Sequence, residues 1–256
     1  MSRIHLFEFE DQSWFPVFLR NYMTDFLQFL TNKSKLFKPA VPILDRLLNE
    51  TGETQLVDLG SGGGGGLLWI AEALKVKHPD LRILMTDLYP NIAAFEYTRG
   101  KNDIFSFRED AIDARNVPND VKGIRTQFLS LHHFRPAEAK AILQNVIDNK
   151  GAIAIFEGQE RSIPSLLAMI FSPITVLLVT PFIKPFSLGR ILFTYIIPLV
   201  PIVVFWDGIV SSLRTYSVQE MQELVAGLKD ADLYDWEIGR VASGPGVNLY
   251  ITGRLK

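Results

Sequence analysis

The residues able to do chemistry in this chain stand at the ends of apolar runs. Asp58 follows Leu56-Val57 and leads, through Leu59, into Gly60-Ser61-Gly62-Gly63-Gly64-Gly65-Gly66. Asp87 ends the run Leu81 to Asp87, Glu157 ends Gly151 to Glu157, and the paired His132 and His133 follow Ile124 to Ser130. Carboxylates in such places can accept from hydroxyls, and histidine is the side chain that exchanges protons near neutral pH. A glycine turn lets a ligand approach the backbone, and the N–H groups of a following helix can meet it. A strand pattern before the glycines and a helical pattern after them (Leu67, Leu68, Ile70, Ala71, Leu74) predict the first unit of a doubly wound nucleotide-binding fold.

The glycines alone leave the nucleotide open. Gly60, Gly62 and Gly65 fit the dinucleotide spacing, while Gly60, Gly62 and Gly64 fit a tighter G-x-G-x-G. Asp58, two residues earlier, tips the balance. Val57-Asp58-Leu59-Gly60-Ser61-Gly62 resembles the first motif of class I S-adenosylmethionine (SAM) dependent methyltransferases of the small-molecule type. The resemblance covers about residues 54 to 157 well and 217 to 253 loosely. It implies SAM as methyl donor and S-adenosylhomocysteine (SAH) as product. It assigns Asp58, Gly60, Ser61, Gly62 and Gly64 to the methionine end, Asp87 and Leu88 to the ribose, and Asp110, Ala111 and Ile112 to the adenine, with Asp113 solvated. His132 and His133 are the expected base or acceptor anchor, with Glu157 orienting the histidine or the acceptor.

The elements that must position these residues are legible around them. Strands are expected over 81–87, 104–108, 124–130 and 151–157, and helices over 13–31, 41–48, 92–99 and 137–147. Ser13 reads as the first helix's N-cap, with Pro16 in its first turn. Ser217 and Glu220 form a capping box that opens a late helix. Two strands, 234–241 and 247–253, are joined by Ser243-Gly244-Pro245-Gly246 as a hairpin. The expected fold is α/β: a doubly wound, seven-stranded Rossmann-like sheet with its last strand antiparallel. The expected units are an N-terminal helical cover (1–50), the SAM-binding core (51–160), a hydrophobic insertion (161–210) and a C-terminal completion of the core (211–256).

The insertion departs from a minimal methyltransferase. Residues 163–183 and 191–206 carry no charge, and the first stretch as one helix would be roughly 31 Å long. Pro164, Pro173, Pro181, Pro185, Pro198 and Pro201 interrupt it, and Lys184 and Arg190 lie between the two stretches. It reads as broken helices lying on or dipping into the inner membrane leaflet while roofing the site. A dry lid, a dimer interface and a spanning hairpin are the alternatives. Asp207, Arg214 and Tyr216, just beyond it, are candidate acceptor contacts, or Asp207 and Arg214 are an ion pair.

Composition narrows the rest. With 256 residues, net charge −2 and no cysteine, the chain has no basic field for nucleic acid, and no thiolate site or disulfide. No metal is expected. Acidic residues come too early for a signal peptide, so a cytoplasmic protein, peripheral at the inner face of the membrane, is expected. The expected acceptor is an apolar or lipid-like small molecule, and the oligomeric state stays open. An NAD-dependent oxidoreductase and a non-catalytic SAM-binding membrane protein remain alternatives.

Overall fold

Five apolar runs form the parallel part of one sheet in the computed structural model, which describes every residue except Pro245. They are β1 (Gln55–Leu59), β2 (Arg82–Thr86), β3 (Phe105–Phe107), β4 (Ile124–Phe128) and β5 (Ile153–Glu157). A hairpin of β6 (Tyr234–Ser243) and β7 (Gly246–Leu255) completes it, in the order β3-β2-β1-β4-β5-β7-β6. β7 runs antiparallel to β5 and to β6. The middle of the joining turn, Pro245, lies outside the described residues.

Alternate side chains of each strand feed opposite layers, as the period of two requires. Val57, Leu59, Ile153 and Ile155 pack against α5 (Pro136–Asp148) and α10 (Val218–Ala226). Leu56, Ile83, Ala154 and Phe156 pack against α2 (Ala40–Thr51), α3 (Leu67–Lys75) and α4 (Ile92–Arg99). The capping box at the start of α10 is present, with both Ser217 and Glu220 making their reciprocal bonds.

α1 (Val17–Ser34) begins later than its apolar pattern suggests. Ser13 caps nothing. Pro16 is the N-cap residue, because residues 9–15 are drawn into turns in which Gln12 N–H meets Phe9 O and Phe15 N–H meets Gln12 O. Trp14, within the span expected to be helical, lies in these turns and is 65% exposed. Leu19, Met23 and Phe26 do face inward, forming a third apolar cluster with Val176, Val200, Val203 and Val204 of the insertion.

The insertion contains α6 (Ile163–Ile170), α7 (Ser172–Val179), α8 (Leu188–Ile191) and α9 (Leu199–Arg214). The chain bends by 44° between α6 and α7 and by 77° before α9. The first break is at Phe171, just before Pro173, and the second at Pro198; Pro164, Pro173 and Pro201 lie in first turns, where no backbone bond is lost. Among the described residues no single helix is long and apolar enough to cross a membrane, although each bent pair has the length and composition to do so. Arg190, 1% exposed, fastens the insertion to α1 through Asp25 at 2.5 Å and braces the insertion itself through the Ile183 carbonyl at 3.0 Å. α9 runs unbroken back to the sheet and carries Asp207 and Arg214 with it.

Candidate active site

The carboxyl ends of β1, β2 and β4 open into a cleft of about 290 Å³ lined by Gly60, Gly62, Asp87, Leu88, Tyr89, Gln127, Ser130 and His133, among others. Gly60, Gly62 and Gly64 have φ of 71°, 55° and 91°, the left-handed region that glycine enters without strain. Gly63 is needed for another reason. A Cβ there would lie 2.7 Å from the Thr24 carbonyl, so α1 can cross the glycine loop only over a bare backbone. Asn32 of α1 also accepts from Trp69 N–H at 3.0 Å, and Thr24 and Arg20 line the cleft, so α1 covers this pocket.

Asp87 is the carboxylate best placed for a ligand. It accepts Gly62 N–H at 2.7 Å and Tyr89 N–H at 2.8 Å, one on each oxygen, and keeps lone pairs free on both. Burial raises its pKa against these bonds. Gln127 and Ser130 add side-chain polar atoms that are buried in the cleft wall without a partner. Buried polar atoms without partners are costly, and a polar ligand would satisfy them.

Other candidate donor contacts are placed differently. Asp58 lies beneath the loop, where its carboxylate accepts Thr126 Oγ1 at 2.8 Å and ties β1 to β4. Burial pushes its pKa up to about 7. Ser61 is a pin, donating to Asp58 O at 3.0 Å and accepting Thr86 N–H at 3.2 Å. A Cβ on Gly64 would face Thr98, away from the cleft. Asp110 is drawn into solvent by a two-pronged pair with Arg108 (2.8 and 2.9 Å), and Ala111 is exposed beside it. Ile112 is in the core, its N–H on Asp87 O at 2.8 Å. The wall expected of Asp110 and Ala111 is made by Asp113, Ala114 and Arg115, and Asp113, read as solvated, is only partly exposed.

A second cavity, of about 300 Å³, lies between α1, α6, α7, α9 and the ends of β4 and β5. Met23, Phe26, Leu27, Leu30, Leu36, Met169 and Val204 make it apolar, and Glu10, His132, His133, Gln159, Ser172 and Asp207 are among its polar points. It shares Glu10, Leu129 and His133 with the cleft, so the two volumes meet at those residues. Leu129, at that junction, holds φ 53°, a conformation that costs a residue other than glycine on the order of 1 kcal/mol or more.

The two histidines are set apart by their partners. His132 donates its backbone N–H to Glu157 Oε1 at 3.1 Å, and its Nδ1 lies 2.8 Å from Glu157 Oε2. An ionised carboxylate only accepts, so Nδ1 carries the proton and Nε2 keeps its lone pair. His133 Nδ1 lies 2.8 Å from both Glu8 and Asp11. Burial would lower its pKa, but those two carboxylates outweigh burial and hold it well above 6.5, as an imidazolium.

Glu8, Glu10 and Asp11 belong to an N-terminal strap that the sequence reading did not place in the site. Arg214 fixes it, donating to Asp11 Oδ2 at 2.5 Å and Leu6 O at 2.8 Å and lying 3.2 Å from Glu8. Asp207 accepts Phe9 N–H at 2.9 Å and Glu10 N–H at 3.2 Å, and Trp206 donates to Phe7 O at 3.0 Å. Asp207 and Arg214 therefore both grip the strap and are not an ion pair with each other. Of the three candidate acceptor contacts only Asp207 lines the apolar cavity. Tyr216 is buried, its hydroxyl on Phe134 O at 2.7 Å and its ring under Arg3. Glu8, His132 and His133 also bring one potential metal-ligand atom each within 4.8 Å of the others. Arg214 and the charged His133 already supply positive charge there. The acid-rich Glu8-Phe9-Glu10-Asp11 was the signal available for the strap, and nothing local said what it would meet.

Burial raises the Asp207 carboxyl to about 8, with the Glu10 charge adding to it. The native state thus holds protons at Asp58, Asp207 and His133 at pH values where the unfolded chain has released them. Linkage makes stability fall as pH rises wherever the native state binds more protons. We expect the melting temperature to decline from about pH 5, where carboxyls of the unfolded chain have ionised, to about pH 8, where Asp207 releases its proton, with Asp207→Asn shallowing the decline. A flat or rising profile across that range in a differential scanning measurement would contradict these proton assignments.

The strand order, the antiparallel β7 and the glycine turn under Asp87 define the class I SAM-dependent methyltransferase fold. No protein-family model and no curated protein matches the sequence. Solved structures do. The plantazolicin methyltransferase BpumL in complex with SAH aligns over 91% of this chain and 86% of its own, with TM-score 0.53 and 13% identity. PigF with SAH aligns over 94% of this chain and 62% of its own, with TM-score 0.51 and 19% identity. An O-methyltransferase family protein from Burkholderia thailandensis aligns over 87% and 57%, with TM-score 0.50 and 19% identity. The chain spans less than two thirds of the length of the last two.

Proposed function

We propose that this protein transfers a methyl group from SAM to an apolar acceptor held in the second cavity, at or near a membrane surface. The observation that carries this reading is the meeting of a polar cleft and an apolar cavity at Glu10, Leu129 and His133. The cleft's features suit a nucleoside donor: an acid at the β2 end, a left-handed glycine turn, and the unpartnered Gln127 and Ser130. SAM would supply an activated methyl, so the protein's work is alignment, exclusion of water and removal of a proton. His132 on the cavity wall, held by Glu157, is the base; the charged His133 orders the strap. With radiolabelled SAM and an apolar extract, label should move into the organic phase. Donor binding without any labelled product would leave a SAM-binding protein and no enzyme.

Asp87→Ala removes the acceptor for ribose hydroxyls. Hydrogen bonds to a charged group contribute about 1.5 to 3 kcal/mol each, so SAH affinity should fall by one or more decades. Unchanged affinity by calorimetry would remove Asp87 from the donor site.

The membrane reading rests on the outer faces of α6, α7 and the segment before α9, where Ile163, Phe171, Leu178, Phe182, Leu188 and Ile196 are each more than half exposed. Burying apolar surface gains about 25 cal/mol per Å², which a lipid interface would supply. The wild type should float with vesicles, and Phe171→Ser with Phe182→Ser should stay behind. Wild-type protein that never floats would point to a lid or a protein interface instead.

A further inference from the structure

Charge at the cavity mouth identifies a class of acceptor. Glu8 and Asp11 face Arg214 and His133, two acids against two cations. Glu10 and Asp207 are left over. Among the described residues the Glu10 carboxylate takes no hydrogen bond, and its nearest cationic group is His133 Nε2 at 3.9 Å, a group already claimed by Glu8 and Asp11. Arg20, on the cleft side, is tied to the carbonyls of Glu10 and Gln12 at 3.0 and 2.8 Å. Asp207, among the described residues, accepts only the two strap N–H groups. No lysine or arginine among the described residues lines the cavity. Two carboxyls therefore look into an apolar space whose one cationic group among the described residues, His133, is already matched by Glu8 and Asp11. A second feature of the same space points to a ligand: Gln159 and Ser172, each 8% exposed, line it with Gln159 Nε2 and Ser172 Oγ buried and unpartnered.

We infer that the acceptor is a lipophilic amine, held as its ammonium by Glu10 and Asp207, with its chain among Met23, Phe26, Leu27 and Leu30 and an oxygen function within reach of Gln159 and Ser172. This deepens the methyl-transfer reading and rests on it. An ammonium has no lone pair, so one proton must leave before reaction, and the imidazole of His132 takes it. The nitrogen lone pair then forms the new carbon–nitrogen bond as the methyl–sulfur bond breaks. That bond's electron pair stays on sulfur, giving SAH, and the product is a methylated ammonium. The proton on His132 passes to solvent after release. The entering ammonium displaces to solvent the proton that Asp207 carries at neutral pH, whereas an alcohol would leave the Glu10 carboxylate facing an uncharged group.

Binding can be read without turnover. Octylamine, octanol and octanoate are titrated by calorimetry into the full chain at neutral pH, with and without SAH, and SAH is titrated separately. Octylamine should bind at least about tenfold more tightly than octanol, and octanoate should be weakest. Glu10→Gln, whose side chain makes no protein hydrogen bond to lose, should remove most of that preference, read as the ratio of octylamine to octanol affinity so that any effect on the donor cleft cancels. Octanol or octanoate binding as well as octylamine, or an amine preference that survives Glu10→Gln, overturns the inference. If that happens while SAH still binds, the methyl-transfer reading stands and only the acceptor class falls. If SAH does not bind, that reading falls first and takes with it the assignment of an amine as acceptor.

Discussion

Replacing His132 with alanine should lower turnover by about two to four decades and leave SAH binding close to that of the wild type. The size follows from what general-base catalysis contributes, and the selectivity follows from position. His132 is 2% exposed and lines the apolar cavity, not the donor cleft. Its two contacts with Glu157 fix the tautomer that leaves Nε2 free to accept a proton. Glu157→Gln tests that last point, because an amide can turn its NH2 toward Nδ1 and favour the other tautomer. We expect it to lose turnover too, with donor affinity retained. His133→Asn should behave otherwise, loosening the strap and harming donor and acceptor binding together, since His133 borders both cavities. Turnover of His132→Ala within about threefold of the wild type would leave alignment as the whole of catalysis.

Arg214→Ala should be the most damaging change to stability. Its guanidinium, in a residue 2% exposed, joins the Leu6 carbonyl to Asp11 and faces Glu8. Removing one partner of a buried, hydrogen-bonded charge cluster costs about 3 to 5 kcal/mol, because the opposing charges stay buried and uncompensated. In a chain of this size that is on the order of 10 °C in melting temperature. Lysine should rescue only part of it, since an ammonium cannot span the same carbonyl and carboxylate as a planar fork. The strap should also become open to proteolysis. A melting temperature within about two degrees of the wild type would show that aromatic packing of Phe7 and Phe9 against Trp206 and Trp14 is enough to hold it.

What could be read from the chain beforehand divides by distance. The strand ends and the helices between them follow local rules, and α4 illustrates this: Asn91 caps it by accepting Ala94 N–H, and Ile92–Arg99 is the span its pattern predicts. The glycine turn and Asp87 follow β1 and β2, neighbouring strands of one strand–helix–strand unit, so their relation was legible too. The pairing of His132 with Glu157 depends only on β4 and β5 being neighbours, which the fold class implied. The strap is the opposite case. Glu8, Glu10 and Asp11 meet groups about 120 to 200 residues away, and a buried cluster of that separation leaves no periodic trace. The same contacts explain why Arg214 and Asp207 do not pair: each had a partner on a segment that the sequence pattern left unplaced. Asp110 fails for a local reason, the Arg108 two residues before it, which competes for its carboxylate.

The most direct test is a calorimetric titration of the purified chain with SAH and, separately, with NADH. The glycine spacing alone fits either nucleotide, whereas the Asp58 motif, the antiparallel β7 and the junction of the cleft with an apolar cavity favour SAM. We expect saturable SAH binding at one site, weakened by a decade or more in Asp87→Ala, and no saturable binding of NADH. Saturable NADH binding with SAH inert would contradict methyl transfer and return the glycine turn to a dinucleotide.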